Sequence, residues 1–280
     1  MELPEVEVVR RELEKDVVGR RISSVDVRRS ANARRIIRRH DAPKELRDRL
    51  LDRKITGVDR IGKYLLLRLD DGGVIVAHFG MSGRFLLAQK KQHLDPHTHV
   101  TIGFKEGREL RFIDPRSFGE LFSTTVDELG KVRELQHLAL DPLEQAFTWQ
   151  QFSQLLAERK AQLKPLLMDQ EFISGLGNIY SDEVLFAAGL AHDRRSDELS
   201  SQEVRRLYRA VVEVLLDAIR ARGTTLDDEA YVGLTGKPGE FQEELRVYGR
   251  AGEPCRRCRT PIEVVKRSRR SAYFCPQCQS

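Results

Sequence analysis

The spacing of apolar positions divides the chain into a β-rich first half, a helical second half and a short cysteine-bearing tail. Near the start, Val6, Val9, Leu13 and Val17 recur at three- and four-residue intervals behind early acidic residues, which predicts one amphipathic helix from about Pro4 to Val18. The period then shortens. β-Prone stretches follow at Ile22–Val27, Ile55–Ile61, Tyr64–Leu69, Val74–His78, Val100–Phe104, Glu109–Ile113 and Glu120–Phe122, several of them separated by turn signals such as Asp70-Asp71-Gly72-Gly73. Strands so spaced predict an antiparallel sandwich. From Thr148 a helical period returns, over 148–157, 163–169, 178–188 and 200–222, the last carrying Val204, Leu207, Val211, Val214 and Leu215. The predicted class is α+β.

The tail carries the first chemistry. All four cysteines lie in the last 26 residues, as Cys255-x2-Cys258, sixteen residues, then Cys275-x2-Cys278. Each C-x2-C turn presents two thiolates on one side of a knuckle, and two knuckles joined by a hairpin close a tetrahedral zinc site. The expected cofactor is one structural Zn2+. Two disulfides in a secreted protein are the competing reading, and no apolar leader opens the chain to favour it.

Composition changes the picture only locally. With 280 residues, 40% hydrophobic and 32% charged, the chain has room for two domains and a ribbon. Its longest apolar runs fall far short of a bilayer span, so no membrane partner is expected. Residues 246–280 hold nine lysines and arginines against two glutamates, whereas the whole chain is only +5. The basicity is therefore concentrated in the tail, where a polyanion is the natural partner. A second basic run, Arg28, Arg29, Arg34, Arg35, Arg38 and Arg39, points the same way or is simply a solvated face. Between two predicted helices, Gly175-Leu176-Gly177-Asn178 offers backbone N–H groups at a helix start. That is either a tight turn or a cradle for an anion.

The chain resembles the formamidopyrimidine-DNA glycosylase family, which also contains endonuclease VIII, over residues 2–279. The resemblance rests on Glu2-Leu3-Pro4-Glu5-Val6-Glu7, Lys63-Tyr64-Leu65, His78-Phe79-Gly80-Met81-Ser82-Gly83 and Asp114-Pro115-Arg116-Ser117-Phe118-Gly119. It continues through Gly175-Leu176-Gly177-Asn178-Ile179-Tyr180, Val247-Tyr248-Gly249-Arg250 and the cysteine tail. It implies a β-sandwich catalytic domain behind a helix (1–130), a helix-two-turn-helix DNA-binding domain (131–245) and a zinc ribbon (246–280). The implied activity is base-excision repair: removal of 8-oxoguanine and formamidopyrimidines from duplex DNA, then strand cleavage by β,δ-elimination, by a cytoplasmic, nucleoid-associated monomer.

The same resemblance implies the roles. Such an enzyme turns the damaged nucleotide out of the helix before acting on it. Met81 then wedges into the vacated space, Arg116 faces the orphaned cytosine and Phe118 stacks nearby. A flexible thioether and an aromatic ring suit an irregular hole between bases. Lys63, grouped with Met1 and Glu2 at the reacting nucleotide, joins His78, Asn178, Tyr248 and Arg270 on the phosphates, which fix register without reading sequence. Ala272 stands where the family usually has threonine. Residues 226–240, with three glycines and Pro238, are expected to form a mobile cap over the extruded base.

One position departs from the pattern. The family's nucleophile is an N-terminal proline, and Met1 stands in its place. Pro4 is no substitute, because its nitrogen is locked in a peptide bond. Methionine before a bulky glutamate is a poor aminopeptidase substrate, so Met1 is expected to stay and offer a primary α-amine, which forms imines readily. By the resemblance, Glu2 keeps its family role of assisting sugar ring opening and proton transfer. Two function classes follow: a bifunctional glycosylase and AP lyase using the Met1 amine, or an N-terminal proline that this sequence does not show, and a lesion- or abasic-site binding protein that has lost turnover.

Overall fold

The computed structural model describes residues 1–144, 147–227, 230–267 and 270–280. Helix α1 (Leu3–Val17) forms where the apolar spacing placed it, with Val6, Val9, Leu13 and Val17 all fully buried. Strands β1 (Ile22–Val27), β2 (Ile55–Ile61), β3 (Tyr64–Leu69), β4 (Gly73–His78), β5 (Arg84–Gln89), β6 (Thr98–Phe104), β7 (Arg108–Ile113) and β8 (Glu120–Thr125) pair into two antiparallel sheets. Their orders are β1-β6-β7-β5 and β2-β3-β4-β8. Inward side chains of both sheets, among them Val25, Leu65, Leu67, Phe85 and Phe112, merge with the buried stripe of α1 into one core. The two-residue period of a strand decides who joins it. Along β3, Leu65, Leu67 and Leu69 face that core, while Leu66 packs with Val74, Val76, Phe122 and Val132 on the opposite side of the sheet. Two short helices, α4 (Val126–Leu129) and α5 (Arg133–Gln136), cover this second patch through Leu129 and Leu135.

Three of the longer elements were not foreseen. Strand β5 reads Arg-Phe-Leu-Leu-Ala-Gln, a continuous apolar run whose alternation is masked because Leu86 and Ala88 are also at least half-buried. Helices α2 (Ala31–Ile36) and α3 (Pro43–Leu50) sit in arginine-rich sequence with only two buried side chains each. Their ends are nevertheless written in the chain: the Ser30 hydroxyl accepts from the Ala33 N–H at 3.1 Å, and Pro43 opens α3.

The second half holds α6 (Trp149–Ala157), α7 (Leu163–Leu167), α8 (Asn178–Ala188) and α9 (Ser201–Arg220), followed by a hairpin of β9 (Glu263–Arg267) and β10 (Arg270–Phe274). Helix α6 begins with a capping box in which Thr148 and Gln151 satisfy each other's backbone N–H groups. Helix α9 buries the predicted stripe of Val204, Leu207, Val211, Val214 and Leu215.

Contacts group the chain into two units: Met1, 3–136 and 221–240 in one, Glu2, 137–220 and 241–280 in the other. The segment expected to be a mobile cap is well tied where it is described; Asp228 and Glu229 lie outside the described residues. Leu234 is fully buried, its N–H donates to Glu12 at 2.7 Å and its carbonyl accepts from the Leu87 N–H at 2.8 Å. Among the described residues no helix is long and apolar enough to cross a membrane.

Candidate active site and zinc ribbon

In the first unit, the α-amine of Met1 donates to the Gly80 carbonyl at 2.9 Å. That places the amine against the turn that carries Met81. The turn closes through the Gly83 N–H on the Phe79 carbonyl at 2.8 Å and leaves Met81 52% exposed. A second turn after β7 carries Phe118, 54% exposed, with the Arg116 guanidinium 5.4 Å from its ring centre. The two turns touch through their backbones. Gly80 has φ +59°, and a Cβ there would lie 2.8 Å from the Phe118 carbonyl carbon, so only glycine fits. Asp114, completely buried at the root of the second turn, binds both; its sequence motif gave no sign of this because burial is not legible in one residue.

Lys63 lies in the β2–β3 turn and His78 ends β4. The His78 ring packs on Tyr64 at 4.5 Å and its Nδ1 accepts from the Gly80 N–H at 3.3 Å, which leaves Nε2 as the donor. Burial, then the positive charges of the Met1 amine, Lys63 and Arg38, push the imidazole down from 6.5 to about 4. At neutral pH His78 is therefore an uncharged donor beside a cationic cluster. The early basic run is largely engaged within its own unit. Arg38 and Arg39 bind the buried Glu120 at 3.2 and 2.7 Å, Arg39 also stacks on Phe122, and Arg34 donates to the Asp41 carbonyl.

In the second unit, the Glu2 carboxylate sits at the start of α8. It accepts from the N–H groups of Gly177 at 2.6 Å, Ile179 at 2.8 Å and Tyr180 at 3.3 Å. The Gly-Leu-Gly-Asn motif thus does cradle an anion, but that anion is the chain's own glutamate. Gly177 is required by this approach, since a Cβ would meet the Glu2 carboxyl carbon at 2.5 Å. Asn178 is brought to Tyr248, its Nδ2 donating to the phenol oxygen at 3.5 Å. Tyr248 is held by the buried Glu183, which accepts from the N–H groups of Arg246, Val247 and Tyr248 at 2.9–3.1 Å. Arg270 opens β10 and remains exposed, with one guanidinium nitrogen 4.0 Å from the Met168 sulphur. Sequence reasoning gave Lys164 and Asp182 no role. They form a buried pair at 2.7 Å that anchors β10, through Lys164 on the Ser271 carbonyl and the Tyr273 N–H on Asp182 at 3.0 Å. Burial pushes the Asp182 carboxyl up to about 7 and draws the Lys164 ammonium down.

The four cysteine sulphurs lie within 4.8 Å of one another, with Cys255–Cys278 at 3.9 Å and Cys258–Cys275 at 3.4 Å. A tetrahedron of sulphurs about 2.3 Å from zinc has edges of about 3.8 Å, so the cluster fits the ion. Cys255 and Cys275 also pack with Phe186, Val247 and Ile262, which fixes the ribbon to α8. The four cysteines form a site for one structural zinc. Arg269, counted in the basic tail, lies outside the described residues.

Three family models match: the formamidopyrimidine-DNA glycosylase N-terminal domain at residues 1–121, the formamidopyrimidine-DNA glycosylase H2TH domain at 138–230, and the zinc finger found in FPG and IleRS at 252–280. The formamidopyrimidine-DNA glycosylase of Herpetosiphon aurantiacus is 41% identical over 279 residues, covering 100% of this chain and 99% of its own. The MutM (Fpg) protein from Thermus thermophilus superposes with a TM-score of 0.88 at 40% identity, covering 100% of this chain and 98% of that one. The Lactococcus lactis Fpg, solved in complex with DNA containing an abasic site, gives 0.91 at 32% identity, with both chains covered completely. A sandwich bearing an amine beside the exposed Met81, a helical unit and a four-cysteine ribbon, in a chain that matches these models and relatives, define a DNA-damage-processing class. The chain belongs to the formamidopyrimidine-DNA glycosylase family. These relatives do not favour the alternative of a binding protein without turnover.

Proposed function

We propose that the protein is a bifunctional DNA glycosylase and AP lyase of base-excision repair, and that it uses the α-amine of Met1 on oxidised purines such as 8-oxoguanine and formamidopyrimidines. The observation that carries this reading is the 2.9 Å bond from the Met1 amine to Gly80, which sets a nucleophile beside the exposed Met81. A wedge that opens the duplex and an amine that attacks the opened nucleotide belong within a few ångströms of each other.

The amine, once neutral, attacks C1′. The bond from C1′ to the base breaks, the base leaves with the electron pair and gains a proton, and the sugar opens to an imine on the Met1 nitrogen. Loss of a C2′ proton then expels the 3′ phosphate, and a second elimination expels the 5′ phosphate. Glu2, fixed by three α8 N–H groups, is the proton handler near the sugar ring oxygen. Lys63 and the Nε2–H of His78 hold the phosphates of the reacting nucleotide, and Asn178, Tyr248 and Arg270 hold further phosphates. Met81, Arg116 and Phe118 occupy the gap and face the orphaned base. The division of labour is residues 1–130 for chemistry and 131–245 with 246–280 for holding the duplex, in a monomer at the nucleoid.

Borohydride trapping on an 8-oxoguanine:cytosine duplex and on an abasic duplex, with the adduct mapped by mass spectrometry, tests this. An adduct at the amine of residue 1 is expected. No adduct on either duplex, despite tight abasic-site binding, would leave a damage-binding protein without chemistry.

A further inference from the structure

We propose that Asp114 is a positioning residue that lashes the Met81 turn to the Arg116–Phe118 turn, and thereby sets the enzyme's preference for the base opposite the lesion. The inference rests on the roles proposed above for Met81, Arg116 and Phe118. Asp114 follows β7 and is 0% exposed. Its Oδ1 accepts from the Ser82 hydroxyl at 2.6 Å and from the Arg116 N–H at 3.2 Å, and its Oδ2 accepts from the Gly119 N–H at 2.7 Å. Ser82 follows Met81 directly, while Arg116 and Gly119 bracket Phe118. One carboxylate therefore fastens both exposed side chains at their roots.

The bonds are not equivalent. Those to Arg116 and Gly119 close the turn between β7 and β8, as any buried carboxylate in a loop would. The bond to Ser82 reaches 32 residues back in the chain to the other turn. A carboxylate accepts and cannot donate, so its two oxygens between them serve all three donors. The turn it holds is itself strained: Ser117 has φ +55°, uncommon for a residue with a Cβ. His99 adds a brace, donating from Nε2 to the Asp114 carbonyl at 2.8 Å. A wedge of two prongs discriminates a base only if the spacing between the prongs is fixed before DNA arrives. Otherwise each prong must be immobilised on binding, at a cost in conformational entropy that blunts the discrimination.

Replacing Asp114 by asparagine keeps the shape but turns one acceptor into a donor aimed at another donor. Replacing Ser82 by alanine removes both cross-turn bonds, the one to Asp114 and the one its hydroxyl accepts from the Arg116 N–H at 3.3 Å, and leaves Asp114 bonded to the Arg116 and Gly119 N–H groups. The test compares single-turnover cleavage by the wild type, Asp114→Asn and Ser82→Ala on 8-oxoguanine:cytosine and 8-oxoguanine:adenine duplexes. It adds strand cleavage at an abasic site in single-stranded DNA, which has no opposite base. The expected result is a loss of cytosine-over-adenine preference of about tenfold, equal to about 1.4 kcal/mol, with the single-strand rate within about twofold of wild type. A parallel fall on all three substrates, tracking a lowered melting temperature, would make Asp114 a structural residue only and overturn the proposal. Met81→Ala and Arg116→Ala separate the two levels. If these lower the preference while Asp114→Asn and Ser82→Ala do not, the lash fails and the wedge stands. If none of the four alters it, the wedge reading fails and takes the lash with it.

Discussion

The ribbon hairpin and the Met81–Phe118 turns face the same physical problem with different means. Each is a short exposed element that must keep side chains in place without a core of its own. The ribbon closes on four sulphurs, with Cys255 and Cys275 buried against Phe186, Val247 and Ile262. The turns stand on the end of a sandwich whose core is large, and their fine geometry is held by hydrogen bonds to one buried carboxylate and by a glycine contact. The contrast is between an element that depends on an external ion and one that depends on the completeness of a network. The first should fail as a whole, the second by degrees.

Zinc removal gives the largest expected effect. Structural zinc contributes about 10–16 kcal/mol of apparent binding free energy in small ribbon-like peptides, so a ribbon without it does not hold its fold. Chelation is expected to lower affinity for an abasic duplex by about 100-fold or more at fixed salt, as Arg270 and its neighbours lose their scaffold. Trapping of an excess of abasic single strand by the Met1 amine should persist. Equal duplex affinity of the chelated and zinc-loaded protein, read by fluorescence anisotropy, would put the ribbon outside the binding surface.

The glycine contacts test the second means. Gly177→Ala drives a methyl group into the Glu2 carboxyl and should displace it from the α8 N-terminus. Loss of a positioned proton-transfer group costs about 10²–10⁴-fold in rate, so base excision should fall by that order while duplex affinity stays within a few fold. Gly80→Ala combines a left-handed φ with a clash on the Phe118 backbone, and should lower stability by about 1–3 kcal/mol and shift the Phe118 turn. Thermal melts and opposite-base preference measured together distinguish that local distortion from a global loss. If Gly80→Ala left both unchanged, the two turns would be independent of each other.

How far the sequence reveals this follows the same division. The zinc site was fully readable, because two C-x2-C steps state both ligand identity and geometry. Helix α1, seven of the strands and α6 to α9 were legible in their apolar periods and β-prone stretches. Strand β5 escaped because Leu86 and Ala88 fill its outward positions, and α2 and α3 because their arginines hide two-residue apolar contacts. At the site, resemblance named the residues, but the partners needed coordinates. A Gly-Leu-Gly-Asn motif says that an anion fits; that the anion is Glu2, 175 residues earlier, is a property of the fold. Arg38 and Arg39 read as free cations, yet Glu120, 81 residues from Arg39, neutralises them. Segment 221–240 clusters with residues 3–136 through Leu87 and Glu12, a return that no linear reading contains.

The smallest expected effect concerns His78, at the junction of the amine and the Met81 turn. Its folded value near 4 lies below the 6.5 of an unhindered imidazole, because burial and the charges of Met1, Lys63 and Arg38 all oppose a proton there. Between those two values the unfolded chain binds a proton that the folded chain refuses. The contribution of this residue to stability is therefore complete above pH 6.5 and is lost as the pH falls towards about 4. A tenfold change in proton affinity corresponds to about 1.4 kcal/mol; because solvent and salt screen the cationic neighbours, a total loss of about 1–2 kcal/mol is expected. Melting temperature followed from pH 7 to pH 4 for the wild type and His78→Gln reads it directly. The wild type should lose more than the variant over that window, and the difference should shrink with added salt as the cationic neighbours are screened. Parallel curves would mean that His78 protonates as easily in the folded protein as in the unfolded chain. The hydrogen bond from Gly80 would then give no fixed neutral donor to the site, and the Met81 turn would depend on Asp114, the Gly83 N–H bond to the Phe79 carbonyl and the Met1 amine.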